Sequence, residues 1–190
     1  MTFLIAGVLL WSLTHLSLAL APQFKTLIVA KIGPLPWKGL FALVISLSLV
    51  MIIAGWRTTI PATIWVPPAG LRHLTMTLAP IAFIFFFAAR QPTDIKRFIR
   101  HPQLTGVKLW AVAHLLINGD TRSIIVFGGL LAWAVLEVIF INRREGKDWV
   151  RPQPVGLVKS TASAIIALII TAGVVYFHQY LSGIPLINQG

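Results

Sequence analysis

Apolar residues in this chain come in long unbroken runs, not at the alternating or three-to-four-residue spacing of an element that buries only one face. Five runs, Thr2–Ala21, Gly39–Trp56, His73–Ala89, Ser123–Ile141 and Gly156–Leu181, approach the roughly 20 residues that a helix needs to cross about 30 Å of hydrocarbon. A sixth, Gln103–Ile117, is shorter and is expected to be tilted or sheltered by its neighbours. Backbone polar groups in lipid must be satisfied within the segment, so each run is predicted to be an α-helix. Pro22 and the Gly33-Pro34-Leu35-Pro36 stretch predict a rigid loop between the first two runs, and Ile60-Pro61 through Pro67-Pro68-Ala69-Gly70 predict another after the second. Trp56 and Trp65 flank that second loop and read as interfacial anchors. The pattern gives an all-α fold, a single six-helix transmembrane bundle over residues 1–190.

Composition agrees with a lipid environment. The chain is 57% hydrophobic and 11% charged, with mean hydropathy +0.84, whereas about a quarter of a soluble domain is charged. A net charge of +11 would suggest nucleic acid if it lay on one face. Instead twelve of the Lys and Arg fall in the odd-numbered loops and three in the even ones, with Lys108 inside a span. That is a membrane-topology pattern: the bilayer is the partner, and nucleic acid is not. It places the odd loops in the cytoplasm and both termini outside. The short fourth run is needed for this, because without it every later charge would change sides. The first run lacks a basic n-region and is too long for a signal peptide, so it reads as a retained helix. Cysteine is absent, which excludes disulfides and thiolate chemistry.

Chemistry is concentrated in a few polar residues at membrane depth, where they are costly and face a partner or a ligand. His114 has Trp110 one turn before it and Asn118 one turn after, on one stripe. His15 stands in the same relation to Trp11. The two strings, Trp11-Ser-Leu-Thr-His15 and Trp110-Ala-Val-Ala-His114, are alike; with seven Trp in the chain, coincidence explains this better than an inverted repeat does. One reading makes the two histidines axial ligands of a haem iron between helices, each with a Trp beside the porphyrin. The other makes them interhelical hydrogen-bonding groups. By a rise of 1.5 Å per residue, His15 lies roughly 9 Å from the cytoplasmic end of its helix and His114 about 6 Å from the outer end of its own. His178 and His73 are alternative partners for His114, and His101 for His15.

Glu137 is the one acid within a span, and Lys108 lies at similar depth; an ion pair between them is expected. Asn118-Gly119-Asp120-Thr121 reads as a helix stop followed by an N-cap. Arg100-His101-Pro102 reads as a basic corner ahead of a Pro-initiated helix. No Gly-rich phosphate loop, His-Glu-x-x-His or Ser-His-Asp arrangement is legible.

Arg100-His101-Pro102, the string Lys108-Leu109-Trp110-Ala111-Val112-Ala113-His114-Leu115-Leu116, and Asn118-Gly119-Asp120 together resemble the core signature of the NnrU family. Pro67-Pro68 with Leu71-Arg72-His73-Leu74, and the early His15, extend the resemblance over essentially the whole chain. It implies a multi-pass protein of the bacterial inner membrane that supports nitrite and nitric oxide reductases in denitrification, with those reductases or their assembly machinery as partners. A relative of that family, the 15-cis-zeta-carotene isomerase, is a haem b enzyme, and its two axial histidines match His15 and His114. The isomerase has a cysteine where this chain has Ala111, so a ligand switch through that residue is absent. The resemblance thus implies haem b as cofactor. The alternatives are a haem-dependent cis–trans isomerase of a carotenoid-like polyene and a haem-free membrane scaffold or assembly factor.

Overall fold

Seven helices account for most of the chain in the computed structural model, which describes residues 1–146 and 149–186. They are α1 (Thr2–Leu20), α2 (Pro22–Ile32), α3 (Pro34–Thr58), α4 (Leu71–Ala88), α5 (Pro102–Ile117), α6 (Thr121–Glu145) and α7 (Leu157–Ser182), with a 3₁₀ turn at Asp94–Arg97. Among the described residues there is no strand, only an isolated bridge between Thr63 and Asp120. Lys147, one of the cations assigned to the last odd loop, lies outside the described residues.

Five helices, α1, α3, α4, α6 and α7, are long and apolar enough to cross a membrane, and only 17% to 28% of their most apolar windows is buried within the chain. Most of their surface therefore presents Leu, Ile and Phe outward, an arrangement stable against lipid and not against water. At 16 residues, α5 falls short by that measure but runs between the same two ends of the bundle. At its start His101 contacts Asn142, near the end of α6. Just past its end the Gly119 carbonyl accepts from the N–H groups of Ile64 and Trp65.

The expected rigid loop after the first run is not a loop. Residues 22–32 form α2, an exposed helix with no buried residue, and α3 begins at Pro34, five residues before the expected start at Gly39. The physical reason lies in proline's two roles. Inside a helix it removes a hydrogen bond, but at the first turn its missing N–H is not needed and its φ is already helical. Pro22 and Pro34 both occupy that first turn, and the break between α2 and α3 falls on Gly33, at φ 85°. The second proline-rich stretch, by contrast, remains irregular between α3 and α4.

In lipid no hydrophobic force draws helices together, so close packing at small residues does. On the α1–α3 seam, a Cβ added at Gly55 would lie 2.5 Å from the Leu4 backbone nitrogen. On the α4–α5 seam, one at Gly106 would lie 2.5 Å from the Ala82 carbonyl oxygen. α7 packs on α4, and its buried stripe of Ser163, Ala167 and Thr171 recurs every fourth residue. The core between α1, α5 and α6 is aromatic and aliphatic, with Leu4, Val8, Phe127, Leu130 and Trp133 buried.

Trp56 is not an interfacial anchor. It is buried, its indole N–H donates to the Ser182 carbonyl at 3.1 Å, and the Arg122 guanidinium sits 4.2 Å over its ring. Arg122 also donates to the Trp56 carbonyl, so these residues fasten the ends of α3, α6 and α7 together. Trp65 remains partly exposed.

Candidate functional site

His15 and His114 share one local geometry. The Nδ1 of His15 lies 2.9 Å from the Trp11 carbonyl oxygen, and the Nδ1 of His114 lies 2.9 Å from the Trp110 carbonyl oxygen. A carbonyl oxygen only accepts, so each Nδ1 carries the proton. In a neutral ring that leaves Nε2 with its lone pair free, the state required of a metal ligand. Neither Nε2 has a hydrogen-bond partner among the described residues. Side-chain bonding from position i to the i−4 carbonyl follows from helix geometry, and in lipid it satisfies one ring nitrogen without a second helix.

Each imidazole is set among aromatic rings that hold its orientation. His114 stacks on Phe127 of α6, with centroids 4.3 Å apart and planes at 26°, and has Trp110 at 4.8 Å. His15 lies between Trp11 at 4.6 Å, Trp133 at 5.0 Å and Phe41 at 5.4 Å. Phe127 falls in a π-helical stretch of α6, Ile124–Gly128, a local widening that recurs at functional sites. Phe127 and Trp133 are six residues apart on α6, so the two imidazoles occupy levels separated by about 9 Å along that helix. Between these levels lies an apolar cavity of about 220 Å³. Trp11, Trp110, Trp133, Leu130, Phe83 and Phe86 line it, from α1, α4, α5 and α6. Trp110 and Trp133 thus each touch one histidine and the cavity as well.

The expected ion pair between Lys108 and Glu137 does not form. Lys108 is half-buried and makes no ion pair or hydrogen bond among the described residues. Glu137 is 8% exposed. Its Oε2 and the indole nitrogens of Trp133 and Trp11 are buried without a close hydrogen bond, and the Trp133 indole one turn back is in reach of the Glu137 carboxyl. Similar depth does not make two residues meet; each helix must also be turned the right way, and the linear pattern does not carry that rotation.

The remaining motif positions tie elements together. Arg100 donates to Glu145 Oε2 and to the Gly146 carbonyl, each at 3.0 Å, and His101 Nε2 lies 2.8 Å from Asn142 Oδ1, so the start of α5 is fastened to the end of α6. Asn118 Nδ2 donates back to the His114 carbonyl at 2.9 Å. Asp120 caps α6 as expected, accepting from the Ser123 N–H at 2.9 Å and its hydroxyl at 2.8 Å. Of the alternative histidines, His178 lies within electrostatic reach of His114. His178 bonds Ser182 and the Ile184 carbonyl at the end of α7, and His73 is exposed.

Phe127, Trp133 and Phe41 were not singled out from sequence. Each is one apolar residue within an apolar run, and only the packing of α6 and α3 on the histidine-bearing helices distinguishes them. The seven Trp carried a partial signal, because three of them converge on this site.

A model of the family described as NnrU protein matches residues 3–186. No curated protein and no solved structure matches the chain.

Proposed function

The chain belongs to the NnrU family, and on that premise we propose that it is an inner-membrane protein holding haem b through His15 and His114. We infer that it supports the activity or maturation of nitrite and nitric oxide reductases. One observation carries the haem reading: in two Trp-x-x-x-His units the His Nδ1–H donates a hydrogen bond to the local Trp carbonyl and leaves Nε2 free, around one aromatic core. The donor chemistry suits the group, since neutral imidazoles with the second nitrogen engaged are the usual ligands of such an iron, while neither histidine lines the cavity between them. His15 and His114 would hold it, with the Trp11 and Trp110 rings beside it.

When bound, haem would supply one-electron chemistry and an iron that nitric oxide can reach. The chain does the positioning. The Trp11 and Trp110 carbonyls fix each tautomer and make Nε2 more basic. The stack of Phe127 on His114 restrains ring rotation, and the surrounding Leu and aromatic side chains keep water from the site. Both termini would lie outside, with the basic loops in the cytoplasm.

Absorption spectra of detergent-purified protein, oxidised and dithionite-reduced, test the reading beside His15→Ala and His114→Ala. The expected result is a Soret band with sharp reduced α and β bands, lost in both variants. A wild type without haem after haem-replete expression would overturn it and leave a scaffold or assembly factor.

The apolar cavity favours a second reading, a haem-dependent cis–trans isomerase acting on a carotenoid-like polyene. Conversion of added zeta-carotene by the purified protein would support it; haem-loaded protein that yields no isomer would reject it.

A further inference from the structure

The haem reading does not use the Arg100-His101-Pro102 corner, which adjoins a second cavity. Ala89, Lys96, Arg100, His101, Gln103 and Leu104 help to line a cavity of about 290 Å³ at the basic end of the bundle. Lys96 and Arg100 are its cations, and Arg97 follows Lys96 in the chain. Lys96 and Arg97 are half-buried and make no hydrogen bond or ion pair among the described residues. Among the described residues, the carboxylates nearby are already engaged. Asp94 accepts from the N–H groups of Val155 and Gly156 at the start of α7, and Glu145 is shared by Arg100 and Arg144. Half-buried cations with no counter-charge among the described residues are costly and favour a nearby anion.

The backbone favours an anion at the same place. α5 starts with Pro102 in its first turn, and its N-cap, His101, makes no side-chain capping bond. The first-turn N–H groups, including those of Gln103 and Leu104, have no acceptor within the helix and add the positive end of the helix dipole. Apolar surface adjoins the charge. Ala89 and Leu104 share the cavity wall, and Phe98, between Arg97 and Arg100, is 72% exposed. A soluble anion would gain nothing from that surface, whereas a lipid places a phosphate and a chain on it together.

We propose that this corner binds the phosphate headgroup of an acidic phospholipid, with Lys96, Arg100 and the α5 N-terminus on the phosphate and the acyl chains along α4 and α5. Lipid bound there would fasten the segment between α4 and α5, on which the start of the His114 helix depends. The site does not require haem.

Native mass spectrometry of the full chain in detergent, titrated with dioleoylphosphatidylglycerol, tests this. Lys96→Gln should weaken binding about five-fold, the effect of one cation near an anionic surface. Lys25→Gln, on α2 at the same end, should leave binding unchanged, with both variants melting as the wild type does. Equal losses in the two variants would mean diffuse attraction and overturn the site. Equal binding of dioleoylphosphatidylcholine would overturn the acidic headgroup. Displacement of the lipid by millimolar inorganic phosphate would overturn the lipid in favour of a soluble phosphate ligand.

Discussion

A Trp carbonyl one turn back accepts a hydrogen bond from the Nδ1–H of both His15 and His114, so the state of each ring is decided within its own helix. The candidate ligands were therefore legible from sequence as pairs at i and i+4, although nothing in the sequence brought the two pairs to one core. Glu137 shows the opposite case. With its Oε2 buried without a close hydrogen bond, Glu137→Gln is expected to leave the melting temperature unchanged or to raise it, because the charge and not its absence is the cost. Breaking a true buried pair would cost about 3–5 kcal/mol. Lys108→Ala and Glu137→Ala should accordingly add in the double variant, within about 0.5 kcal/mol; a larger coupling energy in denaturation would show that the two residues meet. Gly119 is a steric requirement of another kind, since a Cβ there would lie 1.9 Å from the Trp65 carbonyl oxygen. Gly119→Ala should destabilise the fold by about 2 kcal/mol or more, the cost of overpacking against backbone, read as a lower melting temperature in detergent.

At the scale of elements, proline and glycine separated what was legible from what was not. Asn118 and Asp120 mark the turn between α5 and α6 because the Asp120 side chain caps the next helix locally, and a local interaction is visible in a local string. Pro22 and Pro34 carried two meanings, and the one that holds, helix initiation, depends on where in the first turn each ring falls. Which glycines are seams is not a local matter. Gly55 and Gly173 look alike in sequence, yet a Cβ at Gly55 would strike Leu4, while one at Gly173 would meet nothing within 4 Å. Gly55→Leu should therefore separate α1 from α3 and lower the melting temperature sharply. Gly173→Ala should leave stability unchanged or raise it by up to about 1 kcal/mol from helix propensity. Equal effects of the two changes would sink the assignment of the α1–α3 seam.

At the scale of the molecule, the chain is a helical bundle whose loop charges predict an orientation. Moving four basic residues from the third and fifth loops to the opposite loops should disturb insertion, since loop cations set orientation. Reporters fused to both termini read this directly; unchanged orientation would contradict the placement of the termini outside. The same charge does more than orient. Arg100 and Arg144 bind Glu145 and the carbonyls of Gly146 and Leu18, so part of the positive pattern is structural cement between α1, α5 and α6.

Run length, apolarity, loop charge and i-to-i+4 pairing are properties of neighbours along the chain, and they determined the helical class, the number and rough position of the apolar runs, and the two Trp–His units. The rotation of each helix about its axis is not such a property when every face is apolar, because in lipid the outward face is as hydrophobic as the inward one. Only the tertiary structure decided that Phe127 lies on His114, that Trp133 lies on His15, that Glu137 and Lys108 do not pair, and that α2 is a helix lying outside the core. Those outcomes depend on which small residues let two backbones approach, and that is settled when the helices pack.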